Sequence, residues 1–208
     1  AGMPVLEKPG TATALVAWRI ARILIESKLL PEGAYQLLVG SARDLVDHLG
    51  PQDVVAFTGS AATGRKLRGH ASVVRHNLHL NLEADSLNAA VLAPDVVRDS
   101  ETYDQFLANV ETDIVQKTGQ KCTAVRRILV PKERVEEVAA DLVARLQKVQ
   151  VGDPKSPETR MGPLASAQQL ADVRAGMTEL LKHAKALTGG PGAVHPKGYF
   201  VAPTLLLA

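Results

Sequence analysis

Cysteine is almost absent from this sequence: Cys122 is the single one in 208 residues. One thiol cannot close an internal disulfide, so the fold has to rest on its core, and nothing points to an oxidising compartment. Aromatic residues make up 3% of the chain, too few to offer a series of stacking surfaces for bases. The formal net charge is only +2, and its lysines and arginines are dispersed, so nucleic acid is not expected as a partner. No apolar run approaches the ~18 residues of a bilayer crossing, and no signal-peptide pattern is read at the start, so no membrane partner is expected and the location is expected to be cytoplasmic. Internal repeats and low-complexity tracts are missing as well. With no second cysteine and no HxxxH among the six histidines, no metal site is expected.

What is present is ordinary globular material, with 46% hydrophobic and 22% charged residues, enough for a core in one large domain or two small ones. Apolar strand-like runs alternate with segments of helical period, the pattern of an α/β fold with a largely parallel sheet. "PVLEKP" reads as a strand closed by Pro9. Thr11 or Thr13 then caps a helix whose apolar positions Val16, Ile20, Ile23 and Leu24 form its inner face. "YQLLVG" is the next strand, and "SARD" at 41–44 opens a short helix in the manner of a capping box. "DVVAFTG", "LHLNLEA" and "LNAAVLA" are strands, with a helical segment over 61–68 after the first. A long helix carries Tyr103, Phe106, Leu107, Val110 and Ile114 on one face and ends at Gly119. "RRILVP" is a strand, 133–150 an amphipathic helix, 166–184 a further helix, and "YFVAPTLLL" a final strand region. A change of domain falls near Asp85.

Three stretches could carry chemistry. Cys122 is either a small buried hydrophobe or a nucleophile, and its position in a turn near Lys121, Arg126 and Arg127 favours thiolate. "AFTGSAATGR" is a strand, a Gly-Ser turn and a helix start. It is neither GxGxxG nor a Walker A loop, and serves either as a tight turn or as an anion site built on helix N–H groups and the Ser60 hydroxyl. Glu83, in a hydrophobic strand, is either a paired or exposed carboxylate or a general base.

In order and chemistry, "PVLEKP", "AFTGSAATGR", "NLEADSLN", "GQKC", "VGDP" with "RMGPL", and "GYFVAPTLL" resemble the aldehyde dehydrogenase superfamily over essentially the whole chain. The resemblance implies an α/β fold: a Rossmann-like cofactor-binding domain, its C-terminal part at 1–85, followed by the N-terminal part of an α/β catalytic domain at 86–208. It implies that Lys8 holds the adenosine ribose of a nicotinamide cofactor and that Ser60 contacts the pyrophosphate. Pro9, Thr11, Thr58, Gly59 and Ala84 join them as cofactor-binding positions. Cys122 matches the nucleophile and Glu83 the residue that activates water. Members that prefer NAD commonly carry a glutamate where Thr11 stands, so NADP is expected here, with NAD possible.

Two departures narrow the resemblance. The family's usual Leu-Gly-Gly-Lys after the glutamate is replaced by Ala84-Asp85-Ser86-Leu87, and the stretch from Glu83 to Cys122 is a few residues longer than usual. The "EADSLN" and "GQKCTAVRR" pattern looks most like the dehydrogenase half of the bifunctional proteins of bacterial phenylacetate degradation, and the semialdehyde dehydrogenases of the benzoyl-CoA route share much of it; both act on aldehydes carried on a coenzyme A thioester. The alternatives are an NAD-linked dehydrogenase of a small aliphatic aldehyde, or a module that binds cofactor without catalysis. The chain opens at Ala1 and enters an apolar run at once, so it reads as a piece of a longer polypeptide. The family's oxyanion asparagine and nicotinamide-ribose glutamate are then expected outside it. The parent is expected to be a homo-oligomer, and the piece alone to be inactive and prone to associate.

Overall fold

Several short apolar strands are followed by a segment rich in good helix formers, and the computed structural model, which describes residues 2–208, turns that alternation into three parallel pairs joined by helical crossovers. The chain divides into two compact units, Ala1–Asp85 and Ser86–Ala208.

In the first unit, β1 (Val5–Glu7) pairs in parallel with β2 (Tyr35–Leu37), Val5 opposite Tyr35 and Glu7 opposite Leu37. The crossover is a 3-10 turn, Thr11–Thr13, and α1 (Ala14–Glu26). Thr13 occupies the cap position of α1, yet its side chain makes no capping bond; its hydroxyl donates back to the Gly10 carbonyl at 3.3 Å. The expected inner face is also corrected. Val16, Ile20 and Ile23 are more than half exposed, while Ala14, Ala17, Ala21 and Leu24 form the covered stripe, with Ala21 at 2% exposure. The helical period holds, but the small side chains face inward, because they let the helix lie close to β2.

A 3-10 turn, Leu45–His48, follows. No capping box forms there: the Ser41 hydroxyl accepts from the Arg43 N–H, and Asp44 makes no side-chain cap. β3 (Val54–Gly59) and β4 (His79–Ala84) then pair in parallel in full register, joined by α2 (Ala61–Arg68) and α3 (Ala71–His76). The last helix was not expected. It places His76 at a helix end and His79 at a strand start, separated by the left-handed Asn77. Gly64 lets α2 sit tight on β4, since a Cβ there would meet the Ala84 side chain at 3.3 Å.

The second unit is built around β5 (Asn88–Val91), parallel to β6 (Val125–Leu129) with a bulge at Asn88/Ala89, and the crossover α4 (Glu101–Val115). α5 (Val135–Leu146) and α6 (Ala167–Leu180) follow, and β7 (Lys185–Thr188) pairs antiparallel with β8 (Leu205–Leu207). α6 therefore stops short of the expected 184, and β7 was not anticipated. One apolar cluster joins Leu92, Tyr103, Leu107, Val110, Val138 and Leu142; a second joins Val115, Leu146, Val149, Met161, Leu164 and Val201. Instead of one continuous sheet, the described residues form four two-stranded sheets, three of them parallel. No helix among them is long and apolar enough to cross a membrane.

Candidate functional site

In the first unit the candidate residues collect at the carboxyl ends of parallel strands, where crossovers leave room for ligands. Thr58 on β3 is the register partner of Glu83 on β4, and Gly59 of Ala84. Ser60 follows as the N-cap of α2: its hydroxyl accepts from the Thr63 N–H at 3.3 Å and donates to the Thr63 hydroxyl at 3.1 Å. Thr58, Gly59, Ser60 and Glu83 are all exposed, and Glu83 has no ion-pair partner among the described residues. Lys8, Pro9 and Thr11 form a separate group beyond β1, where Lys8 Nζ donates to the Pro9 carbonyl at 3.0 Å and Pro9 is buried. No hydrogen bond joins this group to the β3–β4 group among the described residues.

Asp85 is a participant that sequence reasoning missed. It adopts a left-handed backbone, φ 48°, and its carboxylate accepts from the Ala61 N–H at 2.9 Å. One first-turn donor of α2 is thus held by a carboxylate and another by Ser60, whose own hydroxyl hydrogen goes to Thr63, so the Ala62 N–H is the donor left for an anion. These residues fit a phosphate group, but a negative charge stands beside the place it would take. The replacement of glycine by aspartate in "EADSLN" is the signal that could have found it.

In the second unit Cys122 is exposed, so the small-buried-hydrophobe reading is set aside. α4 ends at Val115 rather than Gly119, and Lys117, Thr118 and Gly119 all take left-handed backbone, φ 53°, 57° and 67°. A β-branched residue is strained in that region. Thr118 is held there by its buried hydroxyl, which donates to the carbonyls of Gly162 at 2.9 Å and Pro163 at 3.3 Å.

The rest of the turn is tied down as thoroughly. Gln120 accepts from the Ala165 N–H at 3.0 Å, and Asp113 accepts from the Val125 N–H at 3.1 Å. The cations expected to surround Cys122 are committed to this bracing. Lys121 pairs with Asp113 at 2.6 Å, Arg126 donates to the Gly119 carbonyl at 2.6 Å, and Arg127 donates to that of Leu87 at 2.7 Å. Sequence proximity therefore overstated them as free charge beside the thiol. Asn88 and Ser86, neither singled out from sequence, donate to the Cys122 carbonyl. Among the described residues, no group of three or more histidine, cysteine or acidic side chains is placed to hold a metal ion.

The aldehyde dehydrogenase family profile matches residues 1–208. The chain is 40% identical over 212 residues to the 3,4-dehydroadipyl-CoA semialdehyde dehydrogenase of Aromatoleum evansii, covering 99% of this chain and 41% of that protein. It superposes with a TM-score of 0.85 and 27% identity on a mutant aldehyde dehydrogenase C of Pseudomonas syringae, complexed with NAD+ and octanal, over 99% of this chain and 42% of that one. Proline utilization A from Bdellovibrio bacteriovorus is similar at a TM-score of 0.83 and 26% identity, over 98% of this chain and 21% of its own. The chain thus spans about two fifths of the length of the curated relative it matches.

Proposed function

The chain belongs to the aldehyde dehydrogenase family, and from that premise we propose that its protein oxidises an aldehyde carried on a coenzyme A thioester to the carboxylic acid with NADP. Cys122 acts as nucleophile and Glu83 as base. The observation that carries this reading is the exposed Cys122 on a turn whose neighbouring polar groups are fixed by hydrogen bonds. A reactive sulfur needs access together with a fixed direction of attack, whereas a packing cysteine needs neither.

The Cys122 thiolate adds to the aldehyde carbon to give a thiohemiacetal. A bound nicotinamide dinucleotide would supply the hydride acceptor for that carbon, so that the group on the Cys122 sulfur becomes a thioester. Glu83 then takes a proton from water as the water attacks the thioester, and the Cys122 sulfur departs with the acid released. Lys8, Pro9 and Thr11 would hold the adenosine ribose, Thr58, Gly59 and Ser60 the pyrophosphate, and Ala84 completes the cofactor surface. Ala1–Asp85 would then be part of the cofactor domain and Ser86–Ala208 part of the catalytic domain. The coenzyme A choice is supported by the 40% identity to an enzyme named for a CoA-linked semialdehyde, and NADP by threonine, not a carboxylate, at position 11.

The test uses the full-length protein. Cys122→Ala should abolish oxidation with dinucleotide binding nearly intact. Glu83→Gln should keep a first-turnover burst of reduced cofactor while steady turnover falls. Turnover by Cys122→Ala close to the parent's would remove the mechanism. Comparing rates on a CoA-linked semialdehyde and on a simple aliphatic aldehyde decides the substrate class.

A further inference from the structure

The stretch Ser86–Asn88 takes no part in the chemistry just described, yet two of its side chains donate to the main chain of Cys122. The Asn88 amide nitrogen donates to the Cys122 carbonyl at 2.7 Å, and more loosely to the Ala124 carbonyl at 3.2 Å and the Ser86 hydroxyl oxygen at 3.3 Å. The Ser86 hydroxyl donates to the same Cys122 carbonyl. Asn88 sits at the bulge that opens β5, in register with Val125 at the start of β6, so it is anchored by the sheet. Arg127 on β6 donates to the Leu87 carbonyl at 2.7 Å, which fixes the residue between the two donors.

The consequence follows from peptide geometry. A peptide unit is planar, so holding the Cys122 carbonyl fixes the plane of the 122–123 peptide and the ψ angle of Cys122. In an exposed turn, rotation about that ψ angle would turn Cys122 relative to the strand that follows, and its sulfur with it; the bonds to its carbonyl oppose that rotation. Here the carbonyl is turned towards Asn88 and Ser86, while Cys122 itself is exposed.

We propose that Ser86 and Asn88 are positioning residues for Cys122, acting through its main-chain carbonyl to hold the thiol in its attacking orientation. This rests on the reading of Cys122 as the nucleophile.

Three variants test it: Asn88→Asp, which keeps the shape but has no donor while ionised; Asn88→Ala; and Ser86→Ala, at an exposed position. Steady-state kinetics and dinucleotide affinity are measured on the full-length protein. The rate of Cys122 alkylation by iodoacetamide is followed against pH on the same protein, with Cys122→Ala giving the background from any other thiol. Asn88→Asp and Asn88→Ala should lower kcat by up to about 10²-fold, the effect of a misplacement of about 1 Å, with dinucleotide Kd changed by less than about twofold. Both should also move the alkylation profile, which a merely stabilising residue would leave in place below the unfolding transition. Ser86→Ala should shift kcat and profile the same way by less, since Asn88 remains.

Parental kcat and alkylation profile in Ser86→Ala, together with an Asn88→Asp that is either parental or unfolded, overturn the proposal. Cys122→Ala run alongside separates the two claims. If it keeps turnover, the nucleophile reading falls, and the alkylation profiles alone decide whether Ser86 and Asn88 orient the thiol.

Discussion

The two units treat their candidate functional residues in opposite ways. In the first, Thr58, Gly59, Ser60 and Glu83 stand exposed at strand ends, above a unit whose buried apolar residues are Ala21, Val73 and Leu78. In the second, the turn bearing Cys122 is held by Thr118, Gln120, Asp113, Ser86 and Asn88 and borders a unit with two apolar clusters. The difference follows from what each would do. A phosphate position needs some N–H donors open until the ligand arrives, and at α2 the Ala62 N–H is one that neither Asp85 nor Ser60 holds. A nucleophile needs its backbone settled beforehand, because the cost of ordering it would otherwise fall on the reaction.

Stability should expose this contrast most strongly. Leu142, 1% exposed in the second unit, should lose about 2–5 kcal/mol on truncation to alanine in denaturant unfolding. Val16, 63% exposed on α1, should lose less than about 0.5 kcal/mol on the same change. Equal losses would break the comparison, and would show that the α1 face is covered in solution.

A smaller effect is expected at the open strand ends. Thr11→Glu would set a carboxylate against a 2′-phosphate. Two unit charges about 4 Å apart in water repel by about 1 kcal/mol, so the ratio of kcat/KM for NADP over NAD should fall about fivefold or more. A ratio that does not move takes away the basis for NADP.

Asp85→Asn is subtler. Asparagine keeps an acceptor for the Ala61 N–H and removes the charge beside the anion position. Dinucleotide Kd should fall about two- to fivefold, in keeping with the ~0.3–1 kcal/mol of a charge at an exposed helix N-terminus. Unchanged or weaker binding would mean that this carboxylate and the phosphates do not share a site.

The mildest test compares two tyrosine–carboxylate pairs. Tyr35 donates to Glu7 at 2.5 Å, and that hydrogen bond, with burial and the charge of Glu7, pushes its pKa up to about 12. Tyr103 donates to Asp141 at 2.7 Å, and its pKa is raised chiefly by burial and then by that bond. A raised tyrosine pKa means the folded state keeps a proton that the unfolded chain has lost. Each contribution is therefore whole below pH ~10 and shrinks as pH rises, for Tyr35 between about 10 and about 12. Tyr35→Phe should flatten the fall of the unfolding midpoint over that window; an unaltered slope would place the cause at other groups.

Element order was legible because hydrophobic period is a local property: β3, α2, β4 and α5 fall where alternation and the i, i+4 stripe put them. The "FTGS" and "GQKC" stretches and Glu83 were legible as candidates because, taken together and in order, they resemble the family's pattern. Which face of α1 is covered was not, because small alanines and large aliphatics share one period, and only packing against β2 chooses between them. Nor could sequence show that Lys121, Arg126 and Arg127 spend their donors on the turn, or that Thr118 is held left-handed by carbonyls more than forty positions away. The sequence by itself determined the family and most of the strand–helix order, because these are written in residue type and spacing. Only the tertiary structure decided that Cys122 faces solvent while Ser86 and Asn88 hold its carbonyl, because a hydrogen bond between β5 and the turn before β6 exists only once the chain has brought them together.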